Sequence, residues 1–431
     1  MRMKGHFRWI FAFILISVIG VISILLHSGS EISPGLPETV RTQISGKESA
    51  LQNEKPAGAE PALLHEETAP ALGAIREYAD RLGRILDSTQ TVGAAFTIVY
   101  DGQVVATGTY GVRRKGSNAK VNRHTVFRLA SVSKGFSGAL ACLLEHDGLL
   151  SLDDRVVTYL PGFRLKDSAS TAELTIRHIL SHTSGLVPHA YDNLVEADEP
   201  LGDIIERLHE VDISAAPGTL YGYQNVVFSM LAPVAEQVSG TSFAQLMDEK
   251  IFEPLGMKDA SAGRIDLGHS YNVAYPHVRG KHGFIPLDLH EGYYNVLPAA
   301  GVNASIDDMG QWLLALLGNR GDLFPDTVRR QLETPVIYTP LKAVYTRAWG
   351  PVSERHYSLG WRIYHYRGRK IVYHGGYVRG YRAEIAFCPE EKTGIAFLQN
   401  SPNGIASESI PGFFDLFFQY MDSGGQEKIK P

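Results

Sequence analysis

The spacing of hydrophobic positions divides the chain into three stretches. The first is an apolar run without charged residues, from Trp9 to Leu26. Residues 28–71 are rich in Ser, Pro, Glu and Thr and show no sustained apolar period, which is typical of a disordered stalk. Apolar residues recur with the periods of helices and strands only after this point, so residues 72–424 are predicted to form one folded domain.

Strand-like patterns occur at both ends of this predicted domain. Near its start, the β-rich runs Ala94 to Tyr100 and Val104 to Tyr110 flank the hairpin dipeptide Asp101-Gly102. Further predicted strands cover residues 357–366, 370–374, 381–388 and 395–399, and helical spacing marks residues 75–86 and 410–421. The long stretch between the two groups has mostly helical periodicity. Two strands alone do not make a stable sheet, so we predict an α/β (α+β) fold with one antiparallel sheet formed from both chain ends, flanked by helices, and a mostly helical inserted subdomain.

The N-terminal apolar run has the length of a membrane-spanning helix. Its 18 residues extend about 27 Å as a helix, and Arg2, Lys4 and Arg8 place the positive charge on the N-terminal side. Because positive flanks stay in the cytoplasm, residues 1–27 are predicted to be an anchor in the cytoplasmic membrane. The domain would then be exported, to the periplasm in a Gram-negative cell. A cleaved signal peptide is the alternative, and it also implies export.

Composition narrows the classes of function. The net charge of −5 gives no electrostatic reason to expect nucleic-acid binding. Cys142 and Cys388 are too few for a disulfide scaffold, and no His-Glu-x-x-His run occurs among the 16 histidines. We therefore expect neither a metal nor another cofactor.

A serine and a lysine three positions apart carry the strongest chemical signal. Ser131 and Lys134 lie in Phe127-Arg128-Leu129-Ala130-Ser131-Val132-Ser133-Lys134, at the predicted start of a helix. This spacing puts the hydroxyl and the amine on one helix face, where a desolvated lysine with a lowered pKa can take the serine proton. A Ser-x-x-Lys tetrapeptide is also common at ordinary helix starts, so the pattern needs support from the rest of the chain.

Two further motifs supply that support. Tyr223 and Asn225 form a Tyr-x-Asn motif in a loop before an apolar helix, where a phenol can relay protons and an amide can orient a substrate carbonyl and the lysine. His374-Gly375-Gly376 begins with the last residue of the predicted strand 370–374 and stands before Tyr377. The sheet edge there can offer backbone N–H groups to an acyl carbonyl, and the two glycines would let a substrate approach closely.

In this order, the three motifs resemble those of the serine β-lactamase and penicillin-binding protein family. The resemblance is to the branch of class C β-lactamases, D,D-peptidases and related esterases, and it covers about residues 72–421. Three more runs are similar to that branch: Leu174-Thr175-Ile176-Arg177-His178-Ile179-Leu180-Ser181-His182-Thr183-Ser184-Gly185-Leu186, Pro298-Ala299-Ala300-Gly301 and Leu359-Gly360-Trp361. The family's β-lactamase/transpeptidase-like fold agrees with the sheet predicted above.

The resemblance implies a role for each matched residue. Ser131 would be the acylated nucleophile, Lys134 its base and Tyr223 the general acid/base. Asn225 would orient the substrate, and His374, Gly375 and Gly376 would form the strand that binds it. The backbone N–H groups of Ser131 and Tyr377 would make the oxyanion hole. The run around His182 and Ser184 would be a structural loop.

This chain departs from class C β-lactamases in its third motif. They carry Lys-Thr-Gly where this chain has His-Gly-Gly, so a cation and a hydroxyl that help to hold a substrate carboxylate are missing. Arg379 and Arg382 follow closely and are candidate carboxylate contacts, because arginine binds carboxylates in a bidentate way. The alternative interpretation places both arginines on the surface.

The predicted substrate is therefore a small molecule or peptide: a β-lactam, a D-amino-acid peptide or an ester. A β-lactamase or D,D-peptidase-like hydrolase and a carboxylesterase of the same family remain open. A penicillin-binding sensor that acylates without turnover is the alternative from another class.

A literal Lys-Thr-Gly does occur, at Lys392-Thr393-Gly394. It lies in a charged stretch bounded by Pro389 and Gly394, which is typical of a hairpin turn. We predict that this turn lies far from His374 and takes no part in the site.

Overall fold

The computed structural model describes residues 70–265, 272–339, 348–350 and 352–423. The predicted anchor lies outside the described residues, and so does the predicted stalk except for its last two residues, 70 and 71. Among the described residues, no helix is long and apolar enough to cross a membrane.

The described residues form thirteen strands and fifteen α-helices, together with short 3₁₀ turns at Ala130–Val132, Arg207–Glu210 and Tyr294–Val296 and a π-helical turn at Asp248–Phe252. The strands are β1 (Gly93–Tyr100), β2 (Gln103–Gly111), β3 (Phe127–Arg128), β4 (Ser261–Ala262), β5 (His277–Gly280), β6 (Gly283–Pro286), β7 (Val302–Ala304), β8 (Ile337–Tyr338), β9 (Val352–Tyr357), β10 (Arg362–Tyr366), β11 (Arg369–Val378), β12 (Tyr381–Cys388) and β13 (Thr393–Gln399). The helices are α1 (Pro70–Ser88), α2 (Ser133–His146), α3 (Val156–Tyr159), α4 (Ser168–Glu173), α5 (Ile176–Leu180), α6 (Asp192–Glu196), α7 (Leu201–Glu206), α8 (Asn225–Ser229), α9 (Leu231–Ser239), α10 (Phe243–Met247), α11 (Glu253–Leu255), α12 (Leu297–Ala300), α13 (Ile306–Leu316), α14 (Asp326–Glu333) and α15 (Gly404–Asp422).

The main sheet joins strands from both ends of the domain, as the pattern predicts. Its order is β2-β1-β13-β12-β11-β10-β9-β8, and each neighbouring pair is antiparallel. Strand β1 lies between β2 and β13, so the N-terminal hairpin is completed by the last of the described strands. The predicted fold class is therefore confirmed.

Two hydrophobic cores cover the two faces of this sheet. On one face, α1 packs against β2, and α15 packs against β12 and β13 with aromatic side chains that include Phe413, Phe414 and Phe417. On the other face, the sheet packs against α2 and α13 of the mostly helical middle. The site residues of α2 therefore lie between the sheet and the helical subdomain.

Two predicted strand boundaries are wrong. The run 357–366 is divided into β9 and β10, because the chain turns between Ser358 and Trp361, where Gly360 has a φ of +80°. The strand predicted to end at His374 continues as β11 to Val378, through both glycines. Pairing with β12 over Val372–Val378 carries the strand through residues whose own preference for strands is low.

Candidate active site

The turn that holds Ser131 is strained and tightly packed. Ser131 lies in the 3₁₀ turn Ala130–Val132, directly before α2, and Ala130 has a φ of +49°, which is rare for a residue other than glycine. Leu129 and Val132 are buried below the turn, whereas Ser131 is partly exposed. The turn therefore presents the hydroxyl to solvent from a fixed backbone.

Lys134 lies one helical turn behind Ser131 and is fully buried. Its Nζ donates to the Asn225 side-chain oxygen at 2.8 Å and to the Ala299 carbonyl at 3.1 Å, and it lies 3.4 Å from Ser131 Oγ. Burial lowers the pKa of Lys134 well below its usual value; Asp192 partly opposes this shift and Arg362 adds to it. A neutral amine at this position can accept the serine proton.

Tyr223 completes the contacts of the serine hydroxyl. Its phenol donates to Ser131 Oγ at 2.9 Å, and the Lys134 Nζ lies 4.6 Å from the centre of its ring. Burial raises the pKa of Tyr223, so the phenol keeps its proton. Lys134 and Tyr223 therefore have opposite protonation preferences: one is available as a base and the other as an acid.

Asn225 is held from both ends of its amide. Its oxygen accepts from Lys134, and its nitrogen lies 3.1 Å from each carboxylate oxygen of Asp192, the first residue of α6. His189 Nδ1 lies 2.7 Å from the same carboxylate. Asn225 thus orients the lysine, and its role toward a substrate stays a prediction.

Sequence reasoning missed Asp192, because no motif connects it with Asn225. The two residues are 33 positions apart, and only tertiary packing brings them together.

At both glycines of the third motif, other atoms of the protein lie where a side chain would be. A Cβ atom on Gly376 would lie 2.1 Å from the Leu129 carbonyl oxygen and 3.0 Å from the Ser131 nitrogen. A Cβ atom on Gly375 would lie 2.6 Å from the Tyr373 hydroxyl and 2.7 Å from a Glu384 oxygen. Gly376 therefore lets β11 pass directly beside the turn that holds Ser131, whereas the sequence interpretation assigned both glycines to substrate access.

His374 lies behind the site. Its ring is buried and is absent from the lining of the cavity over Ser131; Nε2 is 3.0 Å from the Tyr357 hydroxyl and Nδ1 is 2.9 Å from the Gly375 carbonyl oxygen. Burial, reinforced by Arg362 and Lys134, lowers its pKa well below the usual value, so the ring is neutral. The His374 side chain thus lies behind the cavity, where its contacts with Tyr357 and the Gly375 carbonyl stabilise β11.

Another buried histidine, His182, packs against the ring of Tyr223. His182 is buried, its ring centre lies 4.3 Å from that of Tyr223, and its Nδ1 accepts from the backbone N–H of Gln224 at 3.2 Å. Burial lowers its pKa well below the usual value. This neutral ring packs against the loop that carries the phenol.

A cavity of about 770 Å³ opens over Ser131. Of the predicted site residues, it is lined by Ser131, Tyr223, Asn225, Gly375, Tyr377 and Arg382. Arg382 also pairs with the buried Glu384 at 2.5 Å. The structure does not bring Arg379 to the cavity: this residue is exposed in the turn between β11 and β12, and its carbonyl accepts from His290 at 3.0 Å.

Several cavity residues were not found from the sequence. They are the aromatic residues Tyr221, Tyr293, Tyr364 and Tyr373 and the arginines Arg355 and Arg362. Arg355, Arg362, Tyr364 and Tyr373 alternate with core residues in ordinary strand patterns, so no local signal distinguishes them.

Of Lys392-Thr393-Gly394, only Lys392 lies in the turn before β13, and Thr393 and Gly394 begin that strand; none of the three lines the cavity. Lys392 is exposed and pairs with Asp101 at 2.9 Å, in the turn between β1 and β2. No group of three or more His, Cys, Asp or Glu side chains that could hold a metal ion occurs in the described parts of the chain.

A partly exposed serine between a buried lysine and a protonated tyrosine is an arrangement suited to acyl transfer through the serine oxygen. The family model called Beta-lactamase matches residues 74–413, and this chain belongs to that family.

Relatives and a solved structure agree with this assignment. Unguisins hydrolase ungD' of Aspergillus campestris is 28% identical over 331 residues, covering 73% of this chain and 59% of its own length. The D-aminopeptidase of Brucella anthropi is 29% identical over 321 residues, covering 72% and 56%. The chain thus spans less than two thirds of the length of either relative.

The octameric penicillin-binding protein homologue from Pyrococcus abyssi superposes with a TM-score of 0.67 at 23% identity, covering 82% of this chain and 77% of that one. This likeness shows the shared fold.

Proposed function

We propose that this domain is a serine hydrolase that cleaves a peptide, β-lactam or ester through an acyl-enzyme on Ser131. The observation that carries the proposal is the pair of contacts around one hydroxyl: Tyr223 at 2.9 Å and the buried Lys134 at 3.4 Å. The names of the two relatives, a hydrolase and an aminopeptidase, support the same reaction class.

The geometry supports the following sequence of steps. Ser131 Oγ attacks the carbonyl carbon and passes its proton to the neutral Nζ of Lys134. The backbone N–H groups of Ser131 and Tyr377 are the proposed donors to the oxyanion. Collapse of the tetrahedral intermediate breaks the bond to the leaving group, which takes the proton of Tyr223. The proton that Lys134 took from Ser131 then passes to the Tyr223 phenolate, so that the amine is again neutral and the phenol again protonated, and water releases the acyl group by the reverse sequence.

Covalent labelling tests the nucleophile. Wild-type protein should react with a fluorescent fluorophosphonate, and mass spectrometry should place the adduct on the peptide that contains Ser131. Ser131→Ala should abolish labelling, whereas the control Ser184→Ala should retain it. Lys134→Ala and Tyr223→Phe should each lower turnover by roughly 10²–10⁴, with a combined loss smaller than the product. An adduct on Ser184 would refute the assignment.

A substrate panel separates the kinds of hydrolase. Turnover of a short-chain nitrophenyl ester alone would indicate the carboxylesterase. A stable adduct with fluorescent penicillin and no turnover would indicate the sensor. Rapid hydrolysis of a chromogenic cephalosporin would indicate a β-lactamase, which is the outcome that the His-Gly-Gly motif least favours.

A further inference from the structure

A short segment, residues 189–192, packs against the loop that carries two of the proposed site residues. The backbone N–H of His189 donates to the Tyr223 carbonyl at 2.8 Å, and the centre of its ring lies 5.4 Å from that of Tyr223. Three positions later, both carboxylate oxygens of Asp192 lie 3.1 Å from the Asn225 side-chain nitrogen. The segment therefore contacts both members of the Tyr-x-Asn motif.

The Asp192 carboxylate determines which way round the Asn225 amide lies. A carboxylate has acceptors only, so the amide must turn its NH2 group toward the carboxylate and its oxygen toward Lys134. The Lys134 Nζ donates to that oxygen at 2.8 Å and to the Ala299 carbonyl at 3.1 Å. A neutral amine has two N–H groups and one lone pair. The lone pair is therefore left for Ser131, whose Oγ lies 3.4 Å away.

The reverse orientation of this amide would disable the proposed base. An N–H group of Asn225 directed at Lys134 would donate to the lone pair of the amine, and the lone pair would no longer accept the serine proton. The two orientations of a side-chain amide occupy nearly the same space, so packing alone does not choose between them. The choice depends on the position of the Asp192 carboxylate.

His189 holds this carboxylate in position. Its Nδ1 lies 2.7 Å from Asp192 Oδ2, and because a carboxylate only accepts, Nδ1 carries the proton and donates it. The Asp192 side chain lines the cavity and is 20% exposed, so solvent competes for its oxygens. The backbone of His189 is itself fixed by the hydrogen bond to Tyr223. The imidazole thus keeps the carboxylate beside Asn225, where it would otherwise be able to rotate into the cavity.

We propose that His189 is a positioning residue for the base Lys134. It acts through Asp192 and Asn225: the imidazole fixes the carboxylate, and the carboxylate fixes the amide. The amide in turn leaves the lone pair of the lysine to the serine. The inference rests on the proposed function and deepens it, because it names what keeps the neutral amine available as a base. His189 belongs to none of the three motifs, so the sequence did not indicate this role.

A matched pair of substitutions at His189 tests the role. Its φ is +60°, which both glycine and asparagine tolerate. Asparagine Nδ2 is bonded to Cγ, as histidine Nδ1 is, so His189→Asn keeps a donor toward Asp192 and His189→Gly removes it. His189→Gly should lower kcat/KM for a nitrophenyl ester, and the rate at which fluorophosphonate labels Ser131, by about tenfold. His189→Asn should keep both within about threefold of wild type.

A glycine at another position with positive φ is the control. Asp198 is exposed and has a φ of +59°, so Asp198→Gly makes the same kind of backbone change away from Asp192 and should leave both rates unchanged. Wild-type activity in His189→Gly, or an equal loss in His189→Asn, would overturn the proposal.

A double-mutant cycle separates positioning from direct contact with the substrate, because His189 also lines the cavity. Asp192→Ala should lower both rates at least as much as His189→Gly does. Adding His189→Gly to Asp192→Ala should then lower them by less than about twofold more, because the carboxylate through which His189 acts is already gone. Losses that multiply would overturn the proposal, since His189 would then act independently of Asp192.

Nuclear magnetic resonance of the Asn225 side chain tests the orientation without turnover. Its amide protons, identified by their loss in Asn225→Ala, should lie downfield in wild type and in His189→Asn, because they donate to a carboxylate. They should move upfield in His189→Gly, and an unchanged position would overturn the proposal. If labelling and ester turnover survive Ser131→Ala, the proposed function fails, and the amide resonances still decide whether His189 orients Asn225.

Discussion

At the scale of single residues, burial sets the chemistry of the site. It lowers the pKa of Lys134 and raises that of Tyr223, so one group gives up its proton readily and the other retains it. The neighbouring histidines His182 and His374 are kept neutral by the same cause. The ionisation to which turnover should respond is therefore that of Lys134.

This arrangement predicts a pH profile. The proposed base is the neutral amine, so kcat/KM should fall as pH falls through the lowered pKa of Lys134. The carboxylate of Asp192 raises that pKa, so Asp192→Asn should lower it further and move the acid limb to lower pH. Arg362→Gln removes a charge that lowers the pKa of Lys134, so this variant should move the acid limb to higher pH. The test is the pH dependence of kcat/KM for one ester in the wild-type protein and both variants. An acid limb that moves to higher pH in Asp192→Asn would contradict the assignment of Lys134 as the base.

Sequence predicts residues that lie within motifs and misses those joined only by packing. Ser131 and Lys134 share a helix start, and Tyr223 and Asn225 adjoin the start of α8, so local spacing identifies each pair. Asp192 reaches Asn225 from the start of α6, a separate part of the chain. Arg355, Arg362 and Arg382 reach the cavity from three separate strands, so their proximity becomes visible only when the register of those strands is known.

At the scale of elements, β11 shows why the strand boundary was mistaken. Glycines weaken a strand pattern, so the prediction ended the strand at His374. In the fold, both glycines are needed because β11 passes against the turn that holds Ser131 on one side and the Tyr373–Glu384 pair on the other. The contacts of β11 with the rest of the fold thus outweigh the low preference of glycine for strands.

The register of β12 predicts the effects of two substitutions. Gly376 is opposite Ala383, whereas Thr393, next to Lys392, pairs with Cys388. Those two levels are about 17 Å apart along β12, so Lys392→Ala should leave turnover within about twofold. His374→Ala removes a buried support of β11 and should cost at least tenfold, or about 1.4 kcal/mol of transition-state binding. Steady-state kinetics of both variants measure this, and a greater loss in Lys392→Ala would disprove the placement.

At the scale of the whole molecule, the hydrophobic pattern predicts the sheet formed from both chain ends, because strand runs are long and clustered there. For the middle of the domain, the pattern predicts that the structure is mostly helical but does not predict where the individual helices begin and end. The described helices α3 to α12 are each nine residues or shorter, and their bounds depend on packing more than on periodicity.

We propose that residues 9–26 anchor the full-length protein in the cytoplasmic membrane, with the domain outside the cytoplasm. The basic residues before this apolar run motivate the proposal. A reporter fused after Pro431 should be active only outside the cytoplasm, and the full-length protein should remain with membranes after a carbonate wash. Soluble exported protein with an N-terminus near Ser28 would favour the cleaved signal peptide.

The pairing of β1 with β13 also governs how the protein can be made. Tyr78 of α1 donates to the Ser409 carbonyl of α15, 331 positions later, and β1 has β13 as its neighbour. A ribosome releases the N-terminal hairpin long before its partners exist, and closing so large a loop is slow. A nascent chain that ends before residue 393 leaves one edge of β1 and the side of α1 that packs against α15 uncovered. Folding of the sheet is therefore deferred until β13 (Thr393–Gln399) has been synthesised.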